Sequence, residues 1–288
     1  MAKVLVNGMT IEYETYGDGE PLLLVMGLGG QLTSWPAGFV ELLAQRFRVI
    51  AFDNRDSGLS SETDGPMMTP SAYFRSLVSR RAPDSGYLLA DMATDAAGLL
   101  AALDIDKANL VGASMGGMIA QTMAVDHPGR VRSLTSIMSN TGDSRNGRTA
   151  TAMMVKLARR PRLTEENAVD ELVMMTTMFA GPTWDEEEIR RLAKASIERS
   201  FKPDGTARQL AAINASPDRT PALAAITAPT LVIHGLLDQL VLPSGGTATA
   251  KAVPGSRLTM FPEMGHDLPR SRWPEMVELI TANAARSS

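Results

Sequence analysis

Asn109-Leu110-Val111-Gly112-Ala113-Ser114-Met115-Gly116-Gly117-Met118-Ile119 reads as two elements meeting at one residue. Asn109 to Ala113 is a short, mostly apolar run of the kind that forms a strand buried on both faces of a parallel sheet. Met115 to Asp126 is helix-like. Ser114 falls on the sharp turn between them, inside Gly112-x-Ser114-x-Gly116, and the two glycines remove Cβ atoms that would clash at so tight a bend. A strand, a turn with a serine at its apex and a helix form the setting of a nucleophile elbow. The five-letter pattern alone is weak. A glycine-rich turn packed for structural reasons would give the same letters, and the flanking elements give the nucleophile reading its weight.

The same strand and helix alternation extends outward from this point. Val4 to Val6 and Ile11 to Tyr16 are β-prone runs separated by Asn7-Gly8, a dipeptide that accepts positive φ and favours a tight hairpin. Leu22 to Met26, Val49 to Phe52, Leu134 to Met138, Thr230 to His234 and Arg257 to Phe261 are further short apolar runs. Between most of them lie the amphipathic stretches Phe39 to Arg46, Leu88 to Leu103, Gly245 to Val253 and Pro274 to Ala285. Such alternation implies right-handed crossovers and a three-layer α/β sandwich. From about Thr141 to Pro221 the rhythm breaks into a helical, Met-rich, charged interval without a convincing strand. It reads as a cap, residues 141–221, inserted into a core of residues 1–140 and 222–288. Ligands of open α/β sheets bind at the C-terminal edge that such a cap would cover.

With 288 residues and 44% apolar content, the chain can build one large core with at most a dependent second lobe. A net charge of −4 argues against a nucleic-acid partner, and the pairs Arg80-Arg81 and Arg159-Arg160 are too short for a phosphate-binding stripe. The absence of cysteine removes disulfides, a thiolate nucleophile and zinc–thiolate sites. Neither a signal-peptide core after Met1 to Thr10 nor a membrane-length apolar run is present, so a cytoplasmic protein with no membrane partner is expected.

A serine hydroxyl needs a base to take its proton. Of three histidines, His127 ends the helix after Ser114, about 18 Å along it, and cannot reach back. His234 ends a strand, where a structural imidazole is expected. His266 follows the strand Arg257 to Phe261 in the loop Pro262-Glu263-Met264-Gly265-His266, and is the expected general base. The base needs an acid to fix its tautomer. Asp238, four residues past the strand Thr230 to His234, is the first choice, and Asp143, beyond the neighbouring strand, is the competitor. Asp267 is adjacent to the base and poorly placed to fold back onto its ring. An oxyanion needs two preset donors. The expected pair is the Met115 N–H and, from Gly27-Leu28-Gly29-Gly30, the Leu28 N–H. That loop could also be a mere turn, whereas phosphate cradling lacks the following Lys-Ser/Thr pair.

Other polar and sulfur-bearing residues have plainer readings. Asp53 and Arg55 are expected to brace their loop as an ion pair, with substrate contact as the alternative. Asp91 and Asp95, four apart on a helix, read as a solvated face, since no further metal-ligating side chain joins them. Met153, Met154, Met174, Met175 and Met178 are either cap core or pocket lining. Met174, Met178 and Trp184 are the candidate substrate contacts.

Together these residues resemble the α/β-hydrolase superfamily over nearly the whole chain except the cap, and within it the aclacinomycin methylesterase-like serine esterases. The likeness is carried by Leu23-Leu24-Val25-Met26-Gly27, Asp53-x-Arg55-Asp56-x-Gly58-x-Ser60, Ser114-Met115-Gly116 and Gly265-His266-Asp267-Leu268-Pro269. Many superfamily members carry His-Gly where this chain has Met26-Gly27, a departure shared with the methylesterase-like group. The resemblance implies a mostly parallel eight-stranded sheet flanked by helices with an inserted helical cap. It also implies no cofactor, no metal, and an acyl-enzyme formed on a small-molecule ester, such as the methyl ester of a bulky apolar or aromatic compound. Lactonases, carbon–carbon bond hydrolases and cofactor-free perhydrolases share the triad, so the fold leaves the reaction open. Epoxide hydrolases and haloalkane dehalogenases carry Asp at the elbow. A non-catalytic binding member would require a broken triad.

Overall fold

Asn7 and Gly8, at φ of 50° and 77°, turn β1 (Ala2–Val6) back onto β2 (Met9–Tyr16), with Val6 opposite Met9. Positive φ at two successive residues matches the right-handed twist of the strands they join, which is why Asn-Gly sits here. The computed structural model describes residues 1–69, 84–161 and 163–287, and for Ala158 the backbone alone. The Arg80-Arg81 pair lies outside the described residues.

After the hairpin come β3 (Glu20–Val25), α1 (Ala37–Ala44), β4 (Phe47–Phe52), α2 (Leu89–Ala102), β5 (Ala108–Ala113), α3 (Met115–Asp126) and β6 (Val131–Ile137). Then follow α4 (Thr151–Ala158), α5 (Ala168–Phe179), α6 (Glu186–Arg199), α7 (Pro203–Ala215) and α8 (Thr220–Leu223). The chain returns to the sheet with β7 (Thr230–Gly235), α9 (Ser244–Ala252), β8 (Arg257–Phe261) and α10 (Trp273–Ala284). The eight strands lie in the order β1-β2-β4-β3-β5-β6-β7-β8, antiparallel through β4 and parallel from β4 to β8.

Every residue of β5 and β7 is buried, because helices cover both faces of the sheet. Alternate residues of β3 feed different layers. Leu23 and Val25 pack with Leu99, Leu100 and Ile119 of α2 and α3, whereas Leu22 and Leu24 pack with Phe39, Leu43 and Ile280 of α1 and α10. This two-sided burial fixes strand register, since a one-residue slip would exchange the two layers.

Helices α4 to α8 occupy the interval where no strand was expected. The start of α6 is set by Asp185, whose side chain accepts the N–H groups of Glu187 and Glu188 at 3.0 and 3.3 Å, and Glu186 to Glu188 favour the same helix end. On α7, Gly205, Arg208 and Gln209 share one face and meet the loop after β4. Arg208 pairs with Asp56 at 2.9 Å, and any side chain at 205 would run into the Asp56 carbonyl.

Two expectations for the β4 loop require correction. Asp53 and Arg55 do not pair. Asp53 meets Arg199 of α6 at 2.9 Å and accepts the Leu32 N–H at 2.7 Å and the Leu59 N–H at 2.8 Å. Arg55 pairs with Asp95 at 2.7 Å, and Asp95 is buried rather than solvated. Each charge instead finds its partner on another element, Asp53 on α6 and Arg55 on α2. Among the described residues, no helix is long and apolar enough to cross a membrane.

Candidate active site

Ser114 has φ 55° and ψ −120°, a conformation that costs a non-glycine residue on the order of 1–3 kcal/mol. Its surroundings over-determine it. The Ser114 N–H bonds the Ile137 carbonyl of β6 at 2.9 Å, and its carbonyl accepts the Gly117 N–H at 2.9 Å and the Ser139 hydroxyl at 2.8 Å. The flanking glycines are required by close backbone approach. A Cβ at 112 would collide with the Gly116 carbonyl, and one at 116 with the Val25 carbonyl of β3. The turn thus lifts the Ser114 side chain off the C-terminal end of β5, where it is partly exposed.

His266, in the loop after β8, and Asp238, in the loop after β7, converge on it. His266 Nε2 lies 2.9 Å from Ser114 Oγ, and His266 Nδ1 lies 2.7 Å from Asp238 Oδ2. A carboxylate can only accept, so the imidazole proton belongs on Nδ1 and Nε2 is free to accept from the serine hydroxyl. Asp238 is fully buried, and its Oδ1 takes the N–H groups of Leu240 and Val241 at 2.9 and 2.8 Å. Burial alone would raise its pKa. The charge of His266, bonds from His234 and His266, and the Val241 N–H outweigh that and hold it down at about 2.

The competing acid is elsewhere. Asp143 is bound up in its own turn, accepting from the Arg145 N–H at 2.8 Å and from the Asn146 amide. Those bonds, the backbone one foremost, keep its carboxyl below the ordinary range. His127 sits beside Thr94 at 3.3 Å, away from the elbow. His234 is buried and close to the acid. Its Nε2 is 2.8 Å from the Val241 carbonyl and 3.5 Å from Asp238 Oδ2, while Nδ1 has no partner among the described residues. The sequence marked it as structural, and it stands within 3.5 Å of the same carboxylate oxygen that meets His266.

The loop after β3 folds against the elbow. A Cβ on Gly27 would stand 3.1 Å from Ser114 Cβ and 3.7 Å from Oγ. In this loop the N–H groups of Gly29, Gly30, Gln31 and Leu32 are taken by Gln209, Gly27, Ser34 and Asp53 respectively. Among the described residues no acceptor takes the Leu28 N–H or the Met115 N–H. Met174 and Trp184 expose 43% and 42% of their surface, and Met178 is half-buried, whereas Met153 is core. The methionines therefore divide between packing and surface rather than forming one set. Among the described residues, no group of three or more His, Asp and Glu side chains is arranged to hold a metal ion.

Three features were not legible as site features in the sequence. They are the Gln209 bond to Gly29, the Phe179 carbonyl that receives the His266 N–H at 2.7 Å, and Asp267 Oδ1, which binds the Gly181 and Gly265 N–H groups at 3.0 and 2.9 Å. All join the α4 to α8 interval to loops at the C-terminal ends of strands.

A family model described as alpha/beta hydrolase fold matches residues 20–269. The chain is 32% identical over 264 residues to the putative carbamate hydrolase RutD of Variovorax paradoxus (strain S110), covering 90% of each chain. It is 28% identical over 285 residues to the rhodomycin D methylesterase DauP of Streptomyces sp. (strain C5), covering 91% of this chain and 90% of that one. Among solved structures, the meta-cleavage product hydrolase of Pseudomonas fluorescens IP01 matches with a TM-score of 0.79 at 19% identity, over 100% of this chain and 98% of that one, a likeness of fold. On the family match over residues 20–269, a span within which Ser114, Asp238 and His266 fall, the chain belongs to the α/β-hydrolase fold family.

Proposed function

We propose that this protein is a serine esterase that cleaves a small-molecule carboxylic ester through an acyl-enzyme. The observation that carries the reading is the unbroken line Ser114 Oγ, His266, Asp238, at 2.9 and 2.7 Å. In the first half-reaction His266 Nε2 takes the Ser114 proton as Oγ attacks the ester carbonyl carbon. The negative charge moves to the carbonyl oxygen, where the N–H groups of Leu28 and Met115 receive it, the latter at the positive end of α3. The tetrahedral adduct collapses, the carbon–oxygen bond to the alcohol breaks, and the imidazolium gives its proton to the departing oxygen. Water then repeats the sequence with His266 as base, releasing the acid and returning the proton to Ser114. Asp238 stays ionised throughout, which keeps the imidazole in the useful tautomer and stabilises its cation.

Helices α4 to α8 serve in this reading as a cap over the sheet's C-terminal edge. The apolar character of the expected substrate is supported by Leu28, Leu236 and Leu237, which lie in the loops carrying the oxyanion donor and the acid and stay substantially exposed. The relative named as a methylesterase favours an ester with a small leaving alcohol. The relative named as a putative carbamate hydrolase makes a carbamate the second reading, since the same attack would then expel an amine or alcohol. The test is a fluorophosphonate label, expected on Ser114 alone, joined to turnover of methyl esters, p-nitrophenyl esters, carbamates, lactones and vinylogous diketones. Methyl or short alkyl esters should lead; an unlabelled Ser114, or turnover confined to lactones or diketones, would sink the esterase reading.

A further inference from the structure

Gln209 lies on α7, is wholly buried, and uses both ends of its amide. Its Oε1 accepts the Gly29 N–H at 2.8 Å, and its Nε2 donates to the Arg55 carbonyl at 2.7 Å. We infer that Gln209 is a positioning residue for the oxyanion loop, an assignment that rests on the esterase reading and on the Leu28 N–H as a donor.

The geometry around Leu28 carries the inference. Peptide units are rigid planes, so the direction of the Leu28 N–H follows from how the Gly27–Leu28 plane and its neighbour are held. The first plane is pinned through the Gly27 carbonyl, which accepts the Gly30 N–H at 3.1 Å. The next, Leu28–Gly29, is pinned through the Gly29 N–H by Gln209. On the other side, the Met26–Gly27 plane is held by Asn54 Nδ2, which donates to the Met26 carbonyl at 3.0 Å. Further out, Ser57 Oγ donates to the Gly30 carbonyl at 2.7 Å and Gln31 Nε2 to Ser196 and Ser200 of the cap side. Gln209 holds the peptide beside the donor, and its other end grips the β4 loop that supplies Asn54 and Ser57. Oxyanion donors act by being fixed before charge develops. A loop free to rotate at Leu28–Gly29 would have to reorganise at each turnover, and the cost would fall on the transition state rather than on substrate binding.

The test compares Gln209→Met, which keeps the side-chain length without a polar atom, with Gln209→Asn, which stays polar but is one methylene too short to span both partners. Active sites are first counted by fluorophosphonate titration, so that unfolded material does not enter the rate. Both variants should lose about 10- to 100-fold in kcat per titrated site with KM within about twofold of wild type. The inhibition constant of an alkylboronic acid, which forms a tetrahedral anion on Ser114, should rise by a similar factor. If kcat per site stays within about twofold, or if it falls while boronate affinity is unchanged, Gln209 is a packing residue and the inference is overturned. Wild-type labelling of Ser114 is scored separately, so failure of the esterase reading is distinguishable from failure of this one.

Discussion

His266 donates its backbone N–H to the carbonyl of Phe179 across 2.7 Å, so the imidazole facing Ser114 is held partly by the last residue of α5. Asp267, next in sequence, strengthens the same seam by accepting the N–H groups of Gly181 and Gly265 on one carboxylate oxygen. With Gln209 at the oxyanion loop, the interval between β6 and β7 touches both halves of the machinery. If the interval serves as the proposed cap, one hinged freely over the site would break these bonds at each opening, so the edges at Phe179, Gly181 and Gln209 brace the site.

Asp267→Asn preserves the accepting oxygen, so kcat should stay within a few-fold of wild type. Asp267→Leu leaves two N–H groups without an acceptor and should lower kcat about 10-fold by loosening the His266 loop. Stability gives a second readout. Burial raises the Asp267 carboxyl above its ordinary value, aided by the Asp238 charge and opposed by the Gly181 and Gly265 N–H groups and by His266. The folded state then takes this proton at a higher pH than the unfolded chain, whose value is near 3.8. Its contribution is most favourable below that value and declines as pH rises through the raised one. The Tm of Asp267→Asn relative to wild type should climb from pH 3.8 toward neutrality, and a flat difference would refute the burial argument.

Ser114→Ala and His266→Ala should each lower kcat by several orders of magnitude, and the double variant should be little worse than either single one. Groups that act as a unit are non-additive. Losses that multiply in the double variant would show that the two residues act in separate steps.

Asp238→Asn should retain the fold and lose about 10³- to 10⁴-fold in kcat, because an amide at this position can donate to His266 Nδ1 and so favours the wrong tautomer. Asp143→Asn should remain within about twofold of wild type, since Asp143 is tied to Arg145 and Asn146. The reverse ranking in two folded variants would move the acid to the β6 loop.

The elbow was legible because its logic is local: a buried apolar run, a tight turn, a helix. Asp238 and His266 were legible for a related reason, since parallel strands deliver their C-terminal loops to one edge and few ionisable residues lie there. What escaped were pairings between distant elements. Gln209 meets Gly29 across 180 residues, Arg199 reaches Asp53, and Arg55 turns from its neighbour Asp53 to Asp95 on α2. No periodicity encodes such contacts, and an isolated Gln on a helix offers no chemistry that singles it out. Asp95 misled because charge on a helix predicts solvent only when no buried cation waits opposite.

That buried pair carries its own prediction. Asp95 and Arg55 are both largely withdrawn from solvent, and the guanidinium also lies 4.9 Å from the Tyr87 ring centre. Asp95→Ala strands a buried cation and should cost about 3–5 kcal/mol. A Tm drop of about 5–15 °C in a chain of this size is the matching signal. Arg55→Met combined with Asp95→Leu should recover much of the loss, because two apolar groups leave no charge unpaired. A double variant as unstable as Asp95→Ala would locate the cost in lost packing instead.

Substrate range should be set by the exposed side chains of the proposed cap. Met174 is exposed and Met178 half-buried on α5, one turn apart on the same face, and Trp184 lies exposed in the segment leading to α6. Unbranched thioether side chains suit a surface that moulds itself to a bulky apolar acyl or alcohol group. Each added methylene that finds apolar contact should contribute about 0.8 kcal/mol, or roughly fourfold in kcat/KM, until the pocket fills. Charged esters should be poor substrates throughout. Met178→Ala should shift the preferred chain length more than Met174→Ala, because Met178 is the less exposed of the two and lies one residue from the Phe179 contact with His266. Labelling of Ser114 by a small fluorophosphonate should be unaffected in both. If the chain-length profile is flat in wild type and in both variants, these residues are surface and specificity is set by Leu28, Leu236 and Leu237 instead.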